Sequence, residues 1–301
     1  MYNIPVLFLI FSRPDTTARV FERIREIKPA KLYVAADAPR EGRPDEVKRC
    51  AKTRAIIDRI DWSCELKTLY RNKNLGCKMA VSEAISWFFE HEEYGVILED
   101  DCLPDLSFFP FCEELLIKYK DDDRIGHIGG NCFCPDLLKD NLSYNFCSFS
   151  HIWGWASWRR VWKNYDVDFS FWEEAKKDKN KKRNLLRNTR EILYFSSYIS
   201  DAIYENRGMS TWDVQYLFML RVQNQLSVYP AVNLVTNIGL NNPNATNTQK
   251  SGTKNCVPAS VIPFPLKHPR YIMENRAINK YIMKHNFFSY GRILRYILND
   301  Y

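Results

Sequence analysis

Residues 95–105 read GVILEDDCLPD: a short apolar run, Val96-Ile97-Leu98, that passes without a break into Glu99, Asp100 and Asp101. A continuous apolar run of this length is the pattern of a strand buried within a sheet. Three adjacent carboxylates repel one another, so something must make that charge tolerable where the strand ends.

The chain upstream shows what kind of sheet it is. PVLFLIF, 5–11, is another continuous apolar strand, and TTARVFERIREI, 16–27, sets Val20, Phe21, Ile24 and Ile27 on one helical face behind a cap at Asp15 or Thr16. KLYVAAD, 31–37, predicts a second strand ending in an acid, followed by the Pro/Gly-rich loop APREGRPDE. A helix is expected over roughly 45–60, a third strand at CELKTLYR, a turn at NKNLG and a helix at CKMAVSEAISWFFEHE. Strands alternating with helices in this way predict an α/β fold with a mostly parallel sheet flanked by helices. In such sheets ligands sit outside the carboxyl ends of the strands. Arg13, Asp37, Asn74 and Glu99 to Asp101 all follow strands directly, so one sheet edge should collect them.

The second half is less regular. FFPFCEELLIKYKDD reads as a helix, IGHIGGN as a short strand and turn, and SHIWGWASWRRVW, 150–162, is dense in tryptophan. Residues 173–191 carry eight Lys or Arg against four acids and predict a solvated helix. In GMSTWDVQYLFML, 208–220, Asp213 begins what reads as a helix, where a first-turn acid is favoured by the helix dipole alone. Trp153, Trp155 and Trp158 can pack a core or offer flat apolar faces to a sugar. In the tail, 285–301, Phe288, Ile293, Leu294 and Ile297 fall near one another with Arg292 and Arg295 beside them. That tail can dock on the domain or make peripheral contact with a membrane.

Composition narrows the partners. With 301 residues, 46% of them hydrophobic, the chain can bury a full core. A formal charge of +7 suits an anionic substrate or acidic lipid as well as an ordinary soluble protein. The sequence holds no recognisable nucleic-acid-binding motif, so no nucleic-acid partner is expected. Nine cysteines with no C-x-x-C spacing predict reduced, mostly buried thiols. MYNIPVLFLIFSRPD has no basic residue before its short apolar run and meets Arg13-Pro14-Asp15 at once, which predicts a buried strand rather than a signal peptide. A cytoplasmic protein is expected, with room for contact at the inner face of a membrane.

Carboxylates at the carboxyl edge of a parallel sheet can hold a hard divalent cation, move protons or bind sugar hydroxyls. Mn²⁺ or Mg²⁺ prefers oxygen ligands, binds through one or two carboxylates plus substrate phosphates, and offsets the repulsion of the acids.

VILEDDCLPDLSFFPF resembles the acidic signature of nucleotide-diphospho-sugar glycosyltransferases of the GT-A fold. It is most similar to the Glu-Asp-Asp version found in N-acetylglucosaminyltransferase I and in bacterial sugar transferases. PVLFLIFSRPD, YVAADAP, NLGCKMAVSEAI, WGWASWRRVW, STWDVQYLF and NLVTNIGLNNPNATNT continue the likeness in order, over roughly residues 5–250. The resemblance implies a GT-A, Rossmann-like mostly parallel sheet with a less regular acceptor-side half. Residues 1–130 would form the nucleotide-sugar-binding half, 131–270 the acceptor and base half, and 271–301 a helical tail.

By the same resemblance Asp101 would hold Mn²⁺ (or Mg²⁺) against the donor diphosphate. Asp100 would face the ribose or donor sugar and Glu99 the sugar hydroxyls, while Arg13 and Asp37 contact the nucleotide, with Asn74 beside them. Asp213 would be the general base, with Glu173 and Glu174 as the other candidates. Trp153, Trp155 and Trp212 would form a sugar platform. Relatives often carry a His where this chain has Asn247, which leaves His268 as the candidate for a metal or phosphate contact.

The activity so implied is inverting transfer of a sugar, from UDP by the closest likeness, to a glycan or lipid-linked acceptor in surface polysaccharide or lipopolysaccharide synthesis. Two other assignments stay open: a metal-dependent nucleotidyltransferase or phosphohydrolase using the same acids, and a non-catalytic sugar-binding protein on the same fold.

Overall fold

The computed structural model describes residues 1–138, 141–186, 189–201, 210–240 and 257–298. Its first hundred residues alternate β1 (Val6–Ile10), α1 (Pro14–Ile27), β2 (Lys31–Ala36), α2 (Pro44–Ala55), β3 (Glu65–Tyr70), α3 (Gly76–His91) and β4 (Tyr94–Glu99). β1 and β4 are buried along almost their whole length because neighbours and helices cover both faces. α1 starts at Pro14, two residues before the sequence reading, and ends where Lys28 turns left-handed. Proline suits that first position, since the N–H it lacks would have no intrahelical partner there. The helix expected over 45–60 gives way at Ile56–Arg59 to a 3-10 turn.

The later elements are β5 (Cys102–Pro104), α4 (Phe108–Lys118), β6 (Ile125–Gly129), β7 (Tyr144–Cys147), β8 (Trp155–Trp158), α5 (Arg159–Trp162) and α6 (Ser170–Ala175). They continue with α7 (Lys179–Leu185), α8 (Thr189–Ser200), α9 (Asp213–Val222), β9 (Leu226–Pro230), β10 (Val235–Asn237), α10 (Arg276–Ile282) and α11 (Tyr290–Leu298). The charged stretch expected as one helix is therefore broken. Asp178 accepts hydrogen bonds from the N–H groups of Asn180 and Lys181 and starts α7 afresh.

Eight strands form one sheet in the order β3-β2-β1-β4-β8-β6-β9-β7. The β3-β2-β1-β4 side is parallel throughout, as is the β6/β9 pair. The architecture is thus α/β and Rossmann-like, with a mostly parallel sheet flanked by helices. The reversal comes at β8, which runs antiparallel to both neighbours with Trp155 opposite Ile97 and Trp158 opposite Tyr94. Because of that direction, the residues before β8 leave the sheet at the edge where β4 ends in Glu99. Gly154 makes the exit: its φ is +72°, and a Cβ there would lie 2.7 Å from Val235 Cγ2. A second ladder pairs β10 with β5, Asn237 opposite Cys102, and so lays Gly239 against the acid triplet.

The main core gathers on this sheet. A second cluster, including Phe149, Trp172, Phe195, Phe218, Ile278 and Phe287, ties α6, α8, α9 and α10 together beyond it. The eight described cysteines carry no disulfide. Among the described residues no helix is long and apolar enough to cross a membrane.

Two platform candidates fall to the core. Trp155 and Trp212 are 0% and 1% exposed and stack on each other at 5.7 Å. Neither has a ring face left for a sugar, because His127 and Tyr216 take the remaining surface of Trp155. Trp155→Ala should cost about 3–5 kcal/mol of unfolding free energy in urea titrations, as expected for a large buried aromatic. A loss under about 1 kcal/mol would contradict its place in the core.

Candidate active site

The acid triplet is organised by one cation. Arg13, in the turn between β1 and α1, pairs through Nη2 with Asp100 and through Nη1 with Asp101 Oδ2 at 2.6 Å. Asp100 is turned into the protein, where its Oδ2 also accepts from the Phe11 N–H at 3.2 Å and the Thr17 hydroxyl at 3.5 Å. Asp101 is nearly as buried, and among the described residues its Oδ1 faces the Cys102 thiol at 3.6 Å. Glu99 is the residue left over: its Oε1 is buried and finds no hydrogen-bond partner among the described residues. Gly239 closes one side of the cluster so tightly that a Cβ there would lie 2.2 Å from Asp101 Oδ2.

The charges follow from this geometry. Burial works against the Arg13 guanidinium, but Asp100 and Asp101 overturn it and hold Arg13 protonated. Burial pushes the Glu99 carboxyl up to about 8, with the negative charge of Asp101 as the next cause and only Arg13 opposing. Burial also raises Asp100, with Arg13 offsetting part of the rise. When all three acids are ionised, one guanidinium leaves two negative charges uncompensated.

These residues line a cavity of about 220 Å³ at the carboxyl ends of β1, β2 and β4, together with Asp37, Arg40, Arg71, Asn74 and Cys77. Asp37 and Asn74 are engaged with one another. Asp37 Oδ2 accepts from Asn74 Nδ2 at 3.0 Å and from the Gly76 N–H at 3.0 Å, while its Oδ1 takes the Ala38 and Leu75 N–H groups. The acid expected at the nucleotide thus closes the first turn of α3 and fixes the cavity wall. Arg40 and Arg71 were not singled out in the sequence, although both follow strands β2 and β3 as the edge rule requires. Arg40 pairs with the fully buried Glu46 and lies over the Phe11 ring, and Arg71 pairs with Glu83 at 2.8 Å.

Asp213 lies in a second cavity, of about 170 Å³, formed where the flank of β8 meets α9 and the segment before α11. Phe133, His151, Trp153, Asn286 and Phe287 are among its walls. Burial raises the Asp213 carboxyl, and the Thr211 hydroxyl with the N–H groups of Asp213 and Val214 offsets part of that rise. Burial lowers His151 to about 4, so its ring is neutral, and its Nε2 and the Ser150 hydroxyl have no hydrogen-bond partner among the described residues. The two cavities are electrostatically in touch. Asp213 helps raise Glu99, and Cys77, whose thiol burial drives to about 12, feels both acids.

Other expected residues lie elsewhere. Trp153 alone of the three platform tryptophans reaches a cavity wall, edge-on to Phe133 at 5.7 Å. Glu173, half-buried, and Glu174, exposed, pair with Lys176 and Lys181 and line neither cavity. His268 binds the Tyr144 hydroxyl at 2.9 Å and Glu114 at 3.0 Å, by the opposite edge strand β7, rather than meeting the acids. Asn247 lies outside the described residues. His151 stood within the quoted tryptophan-rich segment, but nothing in its spacing marked it.

The acids do not form a complete metal shell. Among the described residues no group of three or more His, Cys, Asp or Glu is placed to hold an ion. The donor chemistry nevertheless fits a divalent cation that completes its shell with substrate, because an unpartnered Glu99 oxygen and Asp101 offer hard oxygens beside uncompensated charge.

No family model and no curated protein matches the sequence. Solved structures give loose likenesses. HddC from Yersinia pseudotuberculosis is 10% identical over 54% of this chain and 80% of its own, with a TM-score of 0.33. The 4-diphosphocytidyl-2C-methyl-D-erythritol synthase of Anaerococcus prevotii is 9% identical over 74% and 100%, with a TM-score of 0.32. UDP-glucose pyrophosphorylase in complex with UDP-glucose is 10% identical over 79% and 94%, with a TM-score of 0.37. Likenesses this distant assign no residue here to a known role, and the chemistry has to be read from the two cavities themselves.

The raised Glu99 carboxyl has a consequence for stability. Folding favours its protonated form, so its contribution is complete below its ordinary value of 4.5 and is lost as pH rises through about 8. Glu99→Gln should therefore raise the melting temperature of the ligand-free protein at pH 9 and leave it nearly unchanged at pH 4. An equal shift at both pH values would show that the carboxyl is not the cause.

Proposed function

We propose that this chain is an inverting, divalent-metal-dependent glycosyltransferase of the GT-A type that uses a nucleotide-diphosphate sugar. The observation that carries the reading is the division of acids between two electrostatically linked cavities. Glu99, Asp101 and Arg13 occupy one, and Asp213 occupies the other within electrostatic reach of Glu99. Transfer of a sugar needs this arrangement: one site for the leaving nucleotide, and a carboxylate on the other side for the acceptor proton. Nucleotidyl transfer or phosphate hydrolysis would leave the second cavity and its acid without a task.

In the proposed reaction the nucleotide lies in the larger cavity, against the Phe11 ring and the Arg40 and Arg71 guanidinium groups. Arg13 holds Asp100 and Asp101 in place through its paired contacts. Glu99 and Asp101 would hold Mn²⁺ or Mg²⁺, which when bound offsets the negative charge that builds on the departing diphosphate. Asp213 takes the proton of an acceptor hydroxyl. That oxygen bonds to the anomeric carbon as the bond from the anomeric carbon to the diphosphate oxygen breaks, and the nucleoside diphosphate leaves with the electron pair. A carboxyl raised by burial is a stronger base than one in water. The aromatic walls and unpartnered hydroxyl and imidazole of the smaller cavity suit a polyhydroxylated acceptor, a glycan or lipid-linked glycan. UDP as the nucleotide, a cytoplasmic site of action and a place in surface polysaccharide assembly belong to the same proposal through the resemblance of the sequence.

Calorimetry with UDP-, GDP- and CDP-sugars, with and without Mn²⁺, tests the donor half. Binding of one donor should require the metal; metal-independent binding, or no binding to any donor, would overturn the reading. Release of pyrophosphate from a nucleoside triphosphate and a sugar phosphate would establish nucleotidyl transfer instead.

The acceptor half rests on Asp213. Asp213→Asn should lower the rate of sugar transfer by about 10²–10⁴-fold and leave donor affinity nearly intact. Loss of both together would make Asp213 a structural residue, and unchanged transfer would remove it from the mechanism.

A further inference from the structure

The last helix is amphipathic in the wrong sense for a helix that only docks on its own domain. α11 lies against α8 with Arg292, Ile293 and Tyr296 half-buried on its inner side. Arg292 and Arg295 both pair with Asp201, Arg292 lies over the Tyr198 ring, and no residue of α11 is buried. Four other apolar or aromatic residues lie on the outside: Tyr290, Leu294, Ile297 and Leu298 are 81%, 58%, 58% and 72% exposed. They recur at the spacing of one helical face, so they form a single stripe toward solvent. A surface helix of a globular domain normally buries that stripe and exposes its arginines.

The same part of the chain holds most of the molecule's excess charge. Between 267 and 298 there are seven Lys and Arg against one acid, Glu274, an excess of six out of a formal net charge of +7 for the whole chain. Arg276, Lys280 and Lys284 are exposed at successive turns, and Tyr271 and Met273 just before them are also exposed. An outward apolar stripe within a strongly basic segment matches an anionic lipid surface, which takes apolar side chains into its acyl boundary and basic ones at its headgroups.

We infer that the C-terminal segment, with the outer face of α11 at its centre, docks this protein on membranes containing anionic lipid. The inference stands on the segment itself and does not depend on what the cavities transfer. It does bear on access, because Asn286 and Phe287, which line the smaller cavity, immediately precede α11.

Co-sedimentation of the full chain with phosphatidylcholine vesicles, with and without phosphatidylglycerol, tests it. The protein should pellet with the phosphatidylglycerol vesicles and stay in solution with phosphatidylcholine alone, and added salt should weaken the binding. A Leu294→Gln, Ile297→Gln double variant should lose at least about tenfold in partitioning. Both positions are exposed, so its melting temperature should match that of the wild type. Lys280→Glu with Lys284→Glu should weaken binding to the anionic vesicles independently of the apolar stripe. Equal binding to both vesicle types, no binding, or undiminished binding by the Leu294/Ile297 variant would overturn the inference. So would a wild-type dimer in light scattering that the same variant converts to monomer, since the stripe would then be an interface between two copies of the chain.

Discussion

The paired contact of Arg13 with Asp100 and Asp101 is the constraint on which the site depends. β1 and β4 are adjacent in the sheet, so the turn after one and the acids after the other meet at the same edge. Buried carboxylates are costly without a partner, and a single buried guanidinium supplies it for two of them. α1 holds the backbone of Arg13 in place, since the Thr17 hydroxyl donates to the Arg13 carbonyl at 2.7 Å. The pairing also decides what the three acids do. Among the described residues Asp100 is committed to the scaffold, Asp101 is fixed but keeps one oxygen lightly engaged, and Glu99 Oε1 has no hydrogen-bond partner. The unequal fates of three neighbouring acids come from this one cation.

The parallel half of the fold was legible because its signals are strong and local. Long apolar strands, amphipathic helices and acids placed just after strands together imply a shared edge, and the carboxyl-end rule brings Arg13, Asp37, Asn74 and Glu99 to one cavity. The other half was not legible in the same way. β7, β8, β9 and β10 are three to five residues long, and a run that short does not say which neighbour it will pair with or in which direction. Tryptophan content could not separate Trp153, on a cavity wall, from Trp155, deep in the core, because only the direction of β8 decides it. His268 looked available for lack of other histidines, whereas Tyr144 and Glu114, more than a hundred residues away in the chain, already bind it. Asp37 lies at the edge where it was expected, and there its oxygens also bind the first turn of the neighbouring helix.

Electrostatics links the two cavities. The charge of Asp213 makes that of Glu99 less favourable, and Cys77 records both fields in its own raised pKa. In the proposed reading this coupling has a direction. A cation that satisfies Glu99 lowers the field at Asp213, so filling the donor side changes the proton affinity of the base on the acceptor side.

The reversed course of β8 separates two kinds of inheritance. One cavity is written in turns that follow parallel strands, and the other in the stretch that leads into β8 and in the chain around Asn286. Substitutions at His151, Trp153 or Phe133 can reshape the second cavity while the Arg13 pairing and the Asp37 network stay intact. On the proposed function, the architecture lets a lineage change what it accepts without relearning what it binds as donor, and that freedom begins at Gly154, where the chain turns back into the sheet.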